Sequence, residues 1–257
     1  MQFKAQYYAF STILLKETKR FMRIWVQTVL PAGVTMALYF VIFGNLIGSQ
    51  LNNVHGYRYI NYIVPGIILM AVINNAYANV VSSFFSAKFQ RHVEEMLISP
   101  MPNYLILAGF VAGGVARGLV VGVVVTIVAS FFVDLHFASI GLTALVLLMT
   151  ATLFATAGFI NAVYAKTFDD ISIIPTFILT PLTYLGGVFY SIDMLPGFWR
   201  HLSLVNPILY MVNAMRYGML GVADINVVTA VSIILSFVVG LFLFALWLLN
   251  RGVGVRS

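Results

Sequence analysis

Six apolar runs, at roughly residues 25–45, 59–83, 104–133, 139–164, 171–190 and 227–249, constrain this 257-residue chain more than any other feature. A helix needs about 20 mostly apolar residues to span hydrocarbon. Inside hydrocarbon every backbone donor and acceptor must be satisfied within the segment, so runs of this length become helices. With 61% of residues hydrophobic and 9% charged, the chain lies far from the half apolar, quarter charged balance of a soluble domain. The expected fold class is an all-α integral membrane protein with six transmembrane helices. It forms one domain over 1–257, with no linker and no internal repeat. The third run exceeds the bilayer thickness and either tilts or begins at the interface.

The charge distribution sets the expected orientation. Lys4, Lys16, Lys19, Arg20, Arg23, Lys88, Arg91, Lys166, Arg251 and Arg256 fall on one side of the six runs, and only Arg58, Arg200 and Arg216 on the other. Lys and Arg concentrate in cytoplasmic loops, so both termini are expected in the cytoplasm. Because the net charge of +6 is spread along these loops, nucleic acid is not an expected partner. The early lysines interrupt the apolar stretch before residue 20, which speaks against a cleaved signal peptide. The chain lacks cysteine, and His55, His92, His136 and His201 are scattered without ligand spacing, so no metal site is expected. It contains neither a G-x-x-x-x-G-K-[ST] loop nor a nucleophile–base arrangement, so no catalytic site and no cofactor of its own are expected.

Three segments outside the spans carry structure of their own. Residues 1–24 read as an amphipathic interface helix, with Tyr7, Phe10, Leu14, Phe21 and Trp25 on one face and Lys16, Lys19, Arg20 and Arg23 on the other. Such a helix lies at the membrane surface with its cations near anionic headgroups, which makes membrane lipid a partner. It serves either as an anchor or as a lever on the first span. Residues 88–100 are the only charge-dense stretch between two long apolar runs: Lys88, Arg91, His92, Glu94 and Glu95, stopped by Pro100 and Pro102. A short acidic amphipathic helix there is what a membrane protein offers to a water-soluble partner. Residues 193–218 are too apolar for a solvated loop, and Pro196-Gly197 and Asn206-Pro207 break them into two short re-entrant or interfacial helices on the outer side. A seventh span over 202–220 competes with this reading, and Asn206, Pro207, Asn213 and Arg216 argue against it.

Within the spans, Gly109, Gly113, Gly114, Gly118 and Gly122 repeat at small-xxx-small spacing, which places the third span against another helix. Arg117 sits among them and must face protein or an aqueous cavity. It either contacts an anionic substrate group or pairs with Asp169 or Asp170. Asn75, Asn79, Ser82 and Ser86 form one polar stripe on the second span, which lines a pathway or bonds a neighbouring helix. Asp169 and Asp170 suit a helix N-terminus.

The run Asn61-Tyr62-Ile63-Val64-Pro65-Gly66, then Phe84-Phe85 and Glu94-Glu95-Met96-Leu97-Ile98-Ser99-Pro100, resembles the membrane subunits of bacterial type-2 ABC exporters. The later run Pro181-Leu182-Thr183-Tyr184-Leu185-Gly186-Gly187-Val188-Phe189-Tyr190, with Leu195-Pro196, Asn206-Pro207 and Arg216, resembles the same family's fifth span and outer helices. The resemblance covers essentially the whole chain. It is strongest to uncharacterised enterobacterial inner-membrane permeases and extends to nodulation-factor and polysaccharide exporter permeases. It implies a multi-pass permease of the bacterial inner membrane that exports an amphipathic or lipid-like molecule (glycolipid, lipid-linked glycan or drug). It also implies a 2+2 assembly, in which a second copy of the chain and two separate ATP-binding cassette subunits supply the rest, with ATP and Mg on those partners. Residues 88–100 would be the coupling helix, with Arg91, Glu94, Glu95 and Leu97 facing the ATPase. The chain itself would not be an enzyme. Asn75, Asn79, Ser82, Arg117 and Tyr184 would then be candidates for pathway or packing. The rival functions are an ion-gradient-driven secondary transporter, which the scarcity of acids within the spans disfavours, and a non-transporting membrane scaffold.

Overall fold

The computed structural model describes residues 2–47, 54 and 56–254. His55 and Arg256 lie outside the described residues. Helix α1 (Gln2–Arg23) is followed by α2 (Trp25–Thr28) and α3 (Leu30–Tyr39), the last continuing into a π-helical segment, Phe40–Ile47. Then come α4 (Tyr59–Phe89), α5 (His92–Ile98), α6 (Asn103–Ser130) and α7 (Ile140–Tyr164). Helix α8 (Asp170–Ile174) runs through a π-helical segment, Pro175–Leu179, into α9 (Thr180–Leu185). The chain ends with α10 (Gly197–Val205), α11 (Pro207–Leu220) and α12 (Val227–Arg251).

Among the described residues five helical segments are long and apolar enough to cross a membrane: Trp25–Gly44, Tyr59–Phe89, Asn103–Ser130, Ile140–Tyr164 and Val227–Arg251. The expected span at 171–190 is shorter than that, a helical rod over Asp170–Leu185. It stops at Leu185 because Gly186 caps it and Gly187 turns the chain at φ 72°. Pro175 and Pro181, which lack backbone donors, sit inside this rod. Thr180 Oγ1 donates to the Pro175 carbonyl (2.9 Å) within the wider π turn. The alternative seventh span does not form. Asn206 ends α10 and starts α11, its Oδ1 accepting from Ile208 N (3.0 Å) and its Nδ2 donating to Leu182 O (2.6 Å).

Helix α4 is the central element. Its side chains are buried along nearly the whole length, packed between α6 and α7, with α11 fitted against α4, α7 and α12. The glycines of α6 make this packing possible on two sides. A Cβ at Gly118 would stand 3.0 Å from Ala76 Cβ and one at Gly122 2.9 Å from Val72 Cγ2, so this row accepts α4. A Cβ at Gly109 would meet Ile13 at 2.6 Å and one at Gly113 would meet Glu17 at 2.5 Å, so the other row accepts α1. The expected close approach is present, and it involves two helices.

The face that α1 buries overlaps the expected aromatic one in part: Phe21 is buried, and Phe10 and Leu14 are half-buried. Tyr7 and Trp25 are exposed, whereas Ile13, Glu17 and Phe21, spaced four apart, point inward. Helix α12 lies at the rim, with Val228, Leu235, Phe237, Leu243, Phe244 and Trp247 exposed. Apolar surface of this extent has no place in water and fits lipid.

Candidate functional site

The 88–100 segment is shorter as a helix than its charge pattern suggests. Helix α4 continues through Lys88 to Phe89, Arg91 takes a left-handed conformation (φ 63°), and α5 starts only at His92. A non-glycine residue with positive φ breaks a helix, so Arg91 sets the angle between α4 and α5. Val93 is buried and holds α5 down, while Arg91, Glu95 and Ile98 are exposed. Glu94 and Leu97 are half-buried, Leu97 against the core. Both glutamates lie in the first turn, where the helix dipole favours them.

Lys88 does not belong to the exposed surface. Its Nζ donates to the carbonyls of Ala162 (3.3 Å), Val163 (2.6 Å) and Ala165 (2.7 Å) at the C-terminus of α7. The rings of Phe85 and Phe89 pack on Phe168 at 4.9 and 5.2 Å. The two loops on this side are thus joined. Lys88→Met is expected to destabilise the protein by about 2 kcal/mol, the size of a charge-assisted hydrogen bond. An unchanged melting temperature in detergent would show that water replaces the ammonium. Between α1 and the α5–α6 junction runs a groove of about 770 Å³, lined by Ala9, Ile13, Lys16, Met96, Met101 and Phe110. It places α1 and α5 side by side on one end of the molecule.

A polar cluster lies between α1, α4 and α6. Glu17 is fully buried and accepts from Ser83 Oγ (2.6 Å) and from Arg20 Nε (3.3 Å). Arg20 Nη2 also donates to Asn79 O (2.9 Å) and Asn79 Oδ1 (2.8 Å). Arg117 Nη2 donates to Asn75 Oδ1 (2.9 Å), and Asn75 Nδ2 donates to Ala71 O (3.0 Å). Arg117 therefore hydrogen-bonds an amide and not the expected Asp169 or Asp170. Asp170 instead accepts from the backbone N–H of Lys166 (2.8 Å) and Thr167 (3.0 Å), closing the turn before α8. Of the polar stripe, Asn75 and Asn79 meet arginines, while Ser82 donates back to Ala78 O (2.7 Å) and Ser86 to Ser82 O (2.7 Å). Of the basic face of α1, Lys16, Lys19 and Arg23 are exposed, and Arg20 turns inward. Tyr184 touches Tyr39 hydroxyl to hydroxyl (3.3 Å) and stacks beside Phe189.

Sequence reasoning missed Glu17. The signal was present, an acid spaced four residues from both Ile13 and Phe21, but it stands within a row of cations that reads as one solvated face. It also missed Asp224, which ties together the end of the bundle opposite α5. Arg216, on α11, lies 3.6 Å from Asp224 through Nη1, donates to Gly187 O (2.8 Å) through Nη2, and sits 3.9 Å over the Tyr62 ring. Asp224 Oδ2 accepts from Ser191 Oγ (2.9 Å) and Ile192 N (3.2 Å), and its own N–H donates to Asn213 Oδ1 (2.8 Å). Both charged side chains are almost completely buried. Four segments meet at this pair: α4, the 186–192 turn, α11 and the loop before α12.

A bundle of apolar helices around a buried α4, with a short acidic helix at one end, defines a multi-pass membrane protein. The chain belongs to the ABC-2 type transporter family, whose model matches residues 8–220. It is similar to the inner membrane transport permease YadH of Escherichia coli (strain K12), 56% identical over 97% of each chain. It is also similar to nodulation protein J of Rhizobium leguminosarum bv. viciae, 24% identical over 83% of each chain. It is accordingly a membrane permease of ABC-transporter type, and the relationship supports a multi-pass inner-membrane location.

Proposed function

We propose that this chain is half of the membrane part of a split, ATP-driven exporter, moving an amphipathic or lipid-like molecule across the inner membrane. Two copies pair, and each seats its α5 on a separate ATP-binding subunit that carries ATP and Mg. Both termini and α5 then face the cytoplasm, and Asp170–Leu185 is the fifth of six spans. The interface helix α1 runs along the cytoplasmic surface, and α10 and α11 cap the outer side.

The observation that carries this reading is the placement of α5. It ends the central helix α4, presents Glu95 and Ile98 outward, and is tied through Lys88 to the end of α7. A push on α5 is delivered to both central helices at once. Few charges line the spans, which suits a substrate with a large apolar part.

The test is affinity purification of a C-terminally tagged chain from gently solubilised native membranes, with an ATPase assay on what co-purifies. A stoichiometric ATP-binding subunit is expected, and its loss in the Glu94→Lys, Glu95→Lys double variant would place the coupling contact. A chain recovered alone across several mild detergents would overturn the split-exporter reading.

A further inference from the structure

We infer that Arg20, Arg117, Asn75 and Asn79 form a seat for an anionic phosphate headgroup at the cytoplasmic entrance of the pathway. This rests on the orientation proposed above and assigns the charge of the group that the substrate presents.

The first argument is charge balance. The cluster contains two arginines and one buried carboxylate, Glu17, which Arg20 already engages at 3.3 Å. The contact made by Arg117 is to the neutral amide oxygen of Asn75. One positive charge is left over in a half-buried position. Buried ions are stable only when paired, so a surplus cation marks a place for an anion.

The second argument is hydrogen bonding. Asn79 is fully buried, yet its Nδ2 has no hydrogen-bond partner among the described residues, and neither has Arg117 Nε. Two orphaned donors beside a surplus cation match the acceptor oxygens of a phosphate, which a guanidinium fork grips well. A neutral acceptor would satisfy the donors but leave the surplus charge unbalanced; an anion does both.

The third argument is position. Asn79 stands ten residues before Phe89, about 15 Å along the axis of α4. Helix α4 has 31 residues, about 46 Å, against a hydrocarbon core of about 30 Å. With the excess length shared between the two ends, Asn79 lies about 7 Å inside the cytoplasmic hydrocarbon boundary and Asn75 about 6 Å deeper, so the cluster sits within the cytoplasmic half of the bilayer, below the headgroups. The Arg20 side chain retains 32% of its surface, so the cluster meets the surface at Arg20, with Asn79 buried behind it.

The test uses the full chain in phosphatidylcholine nanodiscs, titrated with a fluorescent phosphatidic acid. A fluorescent phosphatidylcholine of the same chains is the control and inorganic phosphate the competitor. Saturable binding favouring phosphatidic acid is expected, weakened about tenfold or more by Arg117→Gln. Asn75→Asp would place a carboxylate against Arg117. It is expected to raise the melting temperature and weaken binding to the same degree, and it carries the test if Arg117→Gln does not fold. Lys19→Gln, on the exposed face of α1, is expected to change affinity less than about twofold, which separates the seat from general surface attraction. Displacement by millimolar inorganic phosphate would make the ligand a free phosphate group, and its absence a lipid-borne one; either result sustains the seat. Equal affinity for the two lipids, or binding indifferent to both Arg117→Gln and Asn75→Asp, would overturn it and leave the cluster as a structural weld. No ATP-binding subunit is needed, so failure here leaves the split-exporter reading standing, and failure of co-purification leaves this result intact.

Discussion

Arg216→Met is expected to lower the stability of the protein by about 3–5 kcal/mol, the range for removing one partner of a buried ion pair. The carboxylate of Asp224, about 2% exposed, would then lack its cation, and Gly187 O would lose its donor. The loss also frees the ring of Tyr62 from the guanidinium above it. Adding Asp224→Asn to the same chain is expected to recover much of the loss. The amide keeps an oxygen for Ser191 Oγ and Ile192 N and carries no charge that needs a partner. Thermal unfolding of the two single variants and the double variant in one detergent measures this coupling. Strictly additive effects would show that the two residues act independently and that the outer segments are held by apolar packing alone.

Gly158→Val is expected to be nearly as damaging, at about 3 kcal/mol or more, because the new side chain would meet backbone. A Cβ at Gly158 would lie 2.6 Å from the carbonyl oxygen of Tyr77 and 3.3 Å from its Cα, on the contact between α7 and α4. A flexible side chain could yield, but a helix backbone yields only if the two helices part. The same helix pair carries the hydrogen bond from Asn161 Nδ2 to Tyr77 Oη (2.7 Å), and Asn161 reaches Ile171 O (3.2 Å) as well. Separation would therefore loosen α8 too. Gly240 on α12 is the matched control: a Cβ there meets nothing within 4 Å, and Gly240→Ala is expected to be neutral or slightly stabilising. Comparable melting temperatures for Gly158→Val and Gly240→Ala would contradict the close approach of α4 and α7.

These two sites share a feature with the α5 end of the molecule. In each, a group on α4 or α7 closes a contact that a single helix cannot complete. Lys88 satisfies carbonyls of α7, Tyr77 bonds Asn161, and Tyr62 lies beneath Arg216. Helix α4 is thereby held at both ends and in the middle, which is what a rod needs if motion at α5 is to reach its far end.

The sequence by itself determined the fold class, the positions of the apolar runs and most of the breaks between them. Apolar length is a sum over neighbouring residues, and hydrocarbon leaves the backbone of such a run one answer. Asn206-Pro207 acts locally as well, through a side-chain cap, so the break between α10 and α11 was legible, whereas the end of α9 at Gly186-Gly187 falls five residues before the expected one. Only the tertiary structure decided which charges meet. Arg20 reaches Asn79 across 59 positions, Arg117 reaches Asn75 across 42, and Ser83 reaches Glu17 across 66. Helices α4 and α6 carry apolar residues on all sides, so periodicity names no buried face and no neighbour for them. In α1 the periodicity is a partial guide: Phe21 is buried on the expected face, but Tyr7 stays outward and the glycines of α6 leave a groove that fits Ile13 and Glu17. A buried charge takes its partner from whichever helix stands opposite, and that neighbour is a property of packing, not of the local chain.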